Sequence, residues 1–525
     1  MKREDLLAPE IYNLVNEVER FADNQEKMAL KWEDEEGNKA ELTYVDLIKR
    51  VNKIGNALLN AGLKKGDKAI VMIPRLIDAY AVYLGCLKVG ITVSPGSEML
   101  REKDIRYRLL HGEMKAVISV DSLVNEFNRI TDIKFSKFVI GNPMEGWQHL
   151  NTLERNSSDV LTMANTKAED MAFLSYTSGT TGNPKGVVHT HGWAFAHLRT
   201  AASGWLGIQA GDVVWATAAP GWQKWIWSPF VSVLGSGATG FVYNGKFDAT
   251  KYLQILQDKK INVLCCTPTE YRVMAKVNNL GDYNLPSLRS AVSAGEPLNR
   301  EVIDTFRKYF NVTVRDGYGQ TENTLLVGVL EGMEVKPGSM GKPTPGNRVE
   351  IINDDGEPCV VGEVGDIAVH RETPALFKNY YREPERTAMQ FRGNWYVTGD
   401  RAKKDEDGYF WFEGRSDDII ISSGYTIGPF EVEDALVKHP AVKECAVVAS
   451  PDEVRGTVVK AFIVLREGTN GNQNELVKEL QEHVKSLTAP YKYPRKVEFV
   501  DELPKTTSGK IRRVELRQKE LQQNA

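Results

Sequence analysis

Between Tyr44 and Leu59 the apolar residues Leu47, Val51, Ile54 and Leu58 recur at helical spacing, and Gly62 follows as a stop. The next apolar run, Ala69 to Ile73 between Asp67 and Pro74, lacks polar alternation and reads as a buried strand. A second such unit follows, with a helix through Ala79–Val89, Gly90 as its stop and a short strand at Ile91–Val93. This alternation predicts βα units and largely parallel sheets. Further on, Met171–Ser175 reads as an apolar strand, and a helix is expected from near Trp193.

The pattern changes after the charged stretch Glu413–Asp418. Phe430–Lys438 and Glu475–Leu487 read as helices, and Ala446–Ala449, Val458–Leu465 and Val497–Val500 as strands. The expected fold class is therefore α/β, with a large N-terminal domain of βα units and parallel sheets over residues 1–416. A small α+β C-terminal domain takes residues 417–525. No period of repetition and no low-complexity segment interrupts this plan.

Composition narrows the function classes. A chain of 525 residues exceeds one compact core, and 42% hydrophobic with 26% charged residues is ordinary globular composition. A net charge of −4 argues against a nucleic-acid wrapper or a polybasic membrane binder. The five cysteines form no CxxC pair, which speaks against a disulfide framework or a structural zinc site and fits a reducing compartment. The start Met1-Lys2-Arg3-Glu4-Asp5 leads into no apolar signal core, and no apolar stretch is long enough to span a bilayer. A cytoplasmic location is expected.

The segment richest in chemistry is YTSGTTGNPKGV, residues 176–187. Glycines 179 and 182 let backbone N–H groups approach an anion closely. Thr177, Ser178, Thr180 and Thr181 add hydroxyl donors, and Lys185 adds positive charge. These are phosphate-binding chemistries, although the Walker A spacing GxxxxGK[ST] is not met. The competing reading of the same residues is a flexible Ser/Thr/Gly surface linker.

This loop resembles the signature of the adenylate-forming superfamily, which includes acyl-CoA synthetases, nonribosomal-peptide adenylation domains and beetle luciferases. Further signatures of that superfamily follow in order: SAGEPL at 293–298, DGYGQTE at 316–322, TGD at 398–400, GRSDD at 414–418, SGY at 423–425 and PKTTSGK at 504–510. Together with GWQKW and APYKYPR, the pattern is most similar to medium-chain acyl-CoA synthetases.

The resemblance implies roles for particular residues. Gly295, Glu296 and Pro297 would form a corner against the adenine edge, and Tyr318 a stacking face, with Asp316, Gly317, Tyr318, Gly319 and Gln320 all expected at the ATP/AMP site. Thr321 and Glu322 resemble the pair contacting phosphates and Mg²⁺, an ion usually held by a carboxylate together with substrate phosphates. Asp400 resembles the acceptor of both ribose hydroxyls, and Arg415 a ribose and phosphate contact. Asp417 resembles the hinge of a mobile small domain, and Lys510 the lysine needed for adenylation. Ser423, Gly424 and Tyr425 would meet coenzyme A. Relatives often carry Arg or Lys where this chain has Thr426, and Lys492 and Arg495 are candidates for a coenzyme A phosphate clamp no better than surface charges.

The activity implied is ATP-dependent acyl-CoA synthesis: carboxylate and ATP give acyl-AMP and pyrophosphate, then coenzyme A gives acyl-CoA and AMP. For the acid, the aromatic stretch Trp222-Gln-Lys-Trp225-Ile-Trp227 suits an apolar pocket wall or plain core, and Trp222, Trp225 and Gly319 are the candidate pocket residues. Acetate-specific relatives place a Trp where Gly319 stands, so Gly319 implies room for a short-to-medium fatty acid, branched chains included, and Gly319→Trp is expected to shift preference towards acetate and propionate. Acetyl-, propionyl- or aryl-CoA synthesis and loading of a carrier protein are the alternatives, with a non-enzymatic nucleotide-binding regulator as the reading from another class. The absence of a carrier module after Lys510 speaks against carrier loading. The motif around Lys510 also resembles sites regulated by acetylation, which would make a lysine acetyltransferase and deacetylase partners.

Overall fold

The computed structural model describes residues 1–177, 183–296, 298–422, 425–452, 456–469, 472–488, 490–505 and 510–523. Its contacts divide the chain into two compact units, Met1–Val349 with Val369–Asn394, and Glu350–Ala368 with Trp395–Ala525.

In the first unit one run of paired strands has the order Ser339–Pro343, Leu325–Gly328, Val314–Gly319, Ser290–Ala294, Val263–Cys266, Val213–Ala216, Thr239–Asn244, Met28–Asp34, Lys39–Thr43. From Val314–Gly319 to Met28–Asp34 the pairings are parallel, as the βα alternation predicts, and antiparallel hairpins close both ends. An eight-stranded sheet has the order Asn379–Tyr380, Lys185–Thr190, Met171–Thr177, Thr92–Pro95, Lys68–Met72, Ala116–Val120, Ser136–Ile140, Gln148–His149. It too is parallel except at one edge, where Met171–Thr177, Lys185–Thr190 and Asn379–Tyr380 pair antiparallel.

Helices cover these sheets in layers. Helix Tyr44–Asn60 starts where Thr43 Oγ1 accepts from the Asp46 N–H at 3.1 Å, and buries the Leu47, Val51, Ile54 and Leu58 face. It packs on Ile77–Lys88, whose residues are all buried except Asp78, the pattern of a helix enclosed on every side. These helices and His191–Ala201 share one apolar core with Val71, Val93 and Phe173 of one sheet and Leu30, Val214 and Val292 of the other. A separate cluster sets helices Ala249–Asp258, Pro268–Met274 and Arg300–Phe310 against Phe241, Leu264, Ala291 and Val314.

The second unit holds a three-stranded sheet of Val442–Asp452, Gly456–Leu465 and Lys496–Phe499. Its period-two pattern splits cleanly. Val447, Ala461 and Ile463 pack with helices Pro429–Val437 and Gln473–Leu487, whereas Ala446, Val448, Phe462 and Val464 pack with Leu516 of helix Arg513–Gln523. The α+β reading of this segment thus matches the observed elements. The unit also holds the hairpin Trp395–Lys404 with Phe410–Arg415, and the pair Ile420–Ser422 with Tyr425–Ile427.

Candidate active site

Thr177 and Lys185 face each other as a register pair, so the signature loop is the connection of a β-hairpin. The expected helix near Trp193 is present as His191–Ala201, and between it and the loop lies a strand, Lys185–Thr190, that the sequence reading did not assign. Its Gly-Val-Val-His core is buried, and helix His191–Ala201 starts only after Thr190 caps it by accepting from the Trp193 N–H at 3.2 Å. Thr177 Oγ1 is buried and finds no hydrogen-bond partner among the described residues, an orphan donor at the mouth of the loop. Ser178, Gly179, Thr180, Thr181 and Gly182 lie outside the described residues.

Beside the hairpin, Tyr380 pairs with Val187 across the sheet edge and is 0% exposed. Its hydroxyl donates to Glu322 Oε1 at 2.8 Å and accepts from Lys185 Nζ at 3.1 Å, while Lys185 and Glu322 stand 3.7 Å apart. The structure therefore brings together Lys185 and Glu322, with Tyr380 as a bridge that sequence reasoning missed.

Thr321 and Glu322 are held from behind by an imidazole and indole ladder. His189 Nε2 donates to the Thr321 carbonyl at 2.5 Å, Trp193 Nε1 to the Asn323 carbonyl at 3.0 Å, and His197 Nδ1 accepts from Thr324 Oγ1 at 2.7 Å. The Phe377 N–H donates to the Glu322 carbonyl at 2.7 Å, and the Gln320 N–H to Asn323 Oδ1 at 2.8 Å. Burial pushes His189 down to about 4 and His197 down to about 3, so both rings stay neutral and keep one acceptor nitrogen.

Gly295 has φ +105°, a backbone sign that side-chain-bearing residues rarely adopt, and it turns the chain at the end of strand Ser290–Ala294. Glu296 is engaged sideways, accepting from Thr269 Oγ1 at 2.9 Å and Arg272 Nη2 at 3.0 Å, which leaves the backbone as the corner's open feature. Pro297 lies outside the described residues. Asp316 is turned inward. Its carboxylate accepts from the Gly317 N–H at 2.8 Å and from the Leu298 N–H, tying the corner to the DGYG strand, and burial pushes its carboxyl up to about 7. Tyr318 is half-buried.

The predicted acyl-pocket residues separate. Trp222 is 36% exposed, whereas Trp225 is core, stacked on Phe230 at 5.1 Å and edge-on to Tyr83. The tryptophan against Gly319 is Trp227. A Cβ at 319 would fall 2.5 Å from Trp227 Cη2 and 2.0 Å from the Thr324 carbonyl oxygen. Gly319 therefore does not open unfilled space, and Gly319→Trp would displace backbone before it could close a pocket. Gly317 meets Trp205 in the same way, at 2.7 Å. Trp205 and Trp227 ride on π-helical segments, Ala202–Leu206 and Ile226–Leu234, and Lys224 Nζ lies 4.5 Å and 5.4 Å from their ring centres. Such widened turns commonly mark functional sites, and Lys224, hidden inside a tryptophan cluster, is the second residue the sequence reading passed over.

The second unit carries the remaining residues. Asp400, buried, and Arg415, exposed, are directly paired across the hairpin. Arg415 Nε donates to Asp417 Oδ1 at 3.1 Å. Lys510 is exposed and directly precedes Ile511, which bridges to Lys505. Ser423 and Gly424 lie outside the described residues, between strand Ile420–Ser422 and the strand that holds Tyr425 and Thr426. Lys492 pairs with Glu431, and Arg495 Nη1 donates to Tyr493 Oη at 2.6 Å, so both clamp candidates have intramolecular partners.

Among the described residues no group of three His, Cys, Asp or Glu side chains could hold a metal by itself. The single buried carboxylate of Glu322, next to Lys185, suits an ion held mainly by substrate phosphates, as Mg²⁺ is. No described helix is long and apolar enough to cross a membrane.

Residues 18–381 match the AMP-binding enzyme family and residues 431–510 the AMP-binding enzyme C-terminal domain. The chain is 64% identical over 526 residues to the uncharacterized acyl-CoA ligase YtcI of Bacillus subtilis (strain 168), covering 100% of this chain and 99% of that one. It is 43% identical to the mitochondrial acyl-coenzyme A synthetase ACSM3 of Mus musculus, covering 98% and 91%. Among solved structures it is similar to the anthranilate CoA ligase AuaEII in complex with anthranoyl-AMP, at TM-score 0.91, 29% identity and full coverage of both chains. The chain belongs to the AMP-binding enzyme family, among its adenylate-forming acyl-CoA synthetases and close to the medium-chain members.

Proposed function

We propose that this protein is an AMP-forming acid–thiol ligase that converts short-to-medium carboxylic acids, branched ones included, to their coenzyme A thioesters. The observation that carries this reading is the Lys185–Tyr380–Glu322 cluster at the base of the hairpin loop, a cation and a carboxylate kept apart and ready for a polyphosphate.

In the first half-reaction the substrate carboxylate attacks the α-phosphorus of ATP and pyrophosphate leaves. The nucleophile is already an anion and needs no base, so positioning and charge neutralisation are the work to be done. Lys185 and the loop hydroxyls would hold the phosphates, Asp400 the ribose, and Lys510 would neutralise charge as the α-phosphorus is attacked. Mg²⁺ bound through Glu322 would neutralise the departing pyrophosphate. The neutral His189 and His197 would keep the Thr321–Glu322 turn in place without adding cations of their own. In the second half-reaction the coenzyme A sulfur displaces AMP from the acyl carbon. A turn about Asp417, withdrawing Lys510 and presenting residues 423–425, would make way for it.

A flat aryl acid is the second reading, favoured by the Trp205 and Trp227 rings beside the DGYG strand and by the likeness to an anthranilate CoA ligase. The test is release of pyrophosphate and AMP, with and without coenzyme A, across straight, branched and aromatic acids. Turnover that needs both acid and coenzyme A and peaks with medium chains supports the first reading. A peak with aromatic acids supports the second, and no turnover with any acid overturns both.

A further inference from the structure

Helix Arg513–Gln523 follows Lys510 directly and is docked in its own unit by charge. Arg513 forks onto Glu433 with its closest contact at 2.6 Å, Lys519 Nζ meets Glu498 Oε1 at 2.6 Å, and Lys460 Nζ meets the buried Glu520 at 2.5 Å. Arg517 does something else. Its guanidinium donates to Asp417 Oδ2 at 3.3 Å and also pairs with Asp418. Since Asp417 Oδ1 accepts from Arg415, one carboxylate joins an arginine two residues before it to another 100 residues after it.

A backbone rotation at residue 417 turns everything after it against everything before it. Arg415 precedes that pivot and Arg517 follows it, so the Asp417 carboxylate cannot keep both partners through a large turn. Asp418 lies beyond the pivot and keeps Arg517 throughout. Asp417 is about half exposed, and such a pair adds little to global stability, so it is suited to biasing an equilibrium between two orientations. Burial raises the Asp417 carboxyl, but Arg415 and Arg517 outweigh it and hold the group below its ordinary value.

We propose that Arg517 is a hinge latch: by sharing Asp417 with Arg415 it favours one orientation, and its release belongs to the passage between adenylation and thioester formation. The latch rests on the reading that the pivot is at Asp417. Arg517 is a positioning residue, acting through Asp417 and not on the substrates.

The test uses the full chain and measures the half-reactions separately, as acid-dependent exchange of pyrophosphate into ATP and as coenzyme A-dependent consumption of supplied acyl-adenylate. Arg517→Gln shifts the ratio of the two rates by roughly threefold or more. Lys519→Gln, which removes another ion pair of the same helix, leaves the ratio unchanged. If Arg517→Gln does not fold because Asp418 loses its partner, Asp417→Asn weakens the same shared contact and must shift the ratio in the same direction. Asp417→Pro restricts the pivot and also removes the shared carboxylate, so its effect beyond that of Asp417→Asn reports on the pivot. A split in the half-reactions by Asp417→Pro, with both rates scaled equally by Arg517→Gln, overturns the latch and leaves the hinge standing. No effect of Asp417→Pro on either rate overturns the hinge reading and the latch with it.

Discussion

Replacing Tyr380 by Phe removes one oxygen atom from a site where the ring is fully buried, so shape is kept and two polar contacts are lost. The hydroxyl bonds Glu322 at 2.8 Å and Lys185 at 3.1 Å. Bonds to charged groups contribute about 1.5–3 kcal/mol each. Without the bridge, Lys185 and Glu322 are free to close from 3.7 Å to about 2.8 Å, which returns roughly 1.5 kcal/mol at an effective dielectric of about 20. The variant is therefore expected to lose about 2–4 kcal/mol of stability. The functional consequence is more specific. The collapsed ion pair must be pulled apart before either group can serve MgATP, so the roughly 1.5 kcal/mol gained on collapse becomes about a tenfold rise in KM for ATP. KM for the acid and for coenzyme A should not follow. Initial rates of pyrophosphate release against MgATP concentration provide the measurement. An unchanged KM for ATP, or an equal rise for all three substrates, would refute the idea that Tyr380 holds the two charges apart.

Other expectations can be checked by similar means. Lys510→Ala should abolish pyrophosphate exchange but largely spare thioester formation from supplied acyl-adenylate, and equal loss in both assays would sink that division of labour. His189, His191 and His197 are depressed by burial to about 4, 4 and 3. The stability that their neutral forms contribute is nearly complete above about pH 6.5 and is lost as pH falls from there towards the folded values, by about 2 kcal/mol each on going from pH 7.5 to 5. Asp316, raised by burial to about 7, acts oppositely and offsets about as much as one histidine, so thermal midpoints should drop between those pH values; a flat profile contradicts the buried-histidine account. Gly221 has φ +94°, and a Cβ there would lie 2.5 Å from the Ser97 nitrogen. Gly221→Ala should therefore cost about 3 kcal/mol, read as a lowered denaturant midpoint with an unchanged slope.

What could be read before the structure follows from the range of the forces involved. Helices Tyr44–Asn60 and Ile77–Lys88 and the strand between them are visible in local periodicity, because burial on a fixed face is repeated every few residues. The second hairpin strand was not, since Gly186–His189 is a short run with no alternation, directly after a loop. Tyr380 was invisible for a different reason: its partners are 195 and 58 residues away, and nothing local distinguishes it from a core tyrosine. Trp225 ends the short helix Gln223–Trp225 and Trp227 sits in the widened segment after it; both are buried, and which of the two meets Gly319 depends on a helical phase that composition does not reveal. The motifs themselves were legible, but which way each side chain faces was not.

That widened helix bears on how the packing beside the DGYG strand can change over time. A π-helical turn holds one residue more than the α-helical turn it replaces. Deleting a single residue upstream of Trp227 would let the segment relax towards regular winding and swing the indole by about 100° away from Gly319. An insertion or deletion, the change usually tolerated only in loops, would then repack the surroundings of Gly319 without substituting any residue there, and the packing beside the DGYG strand would diverge by indel as readily as by substitution.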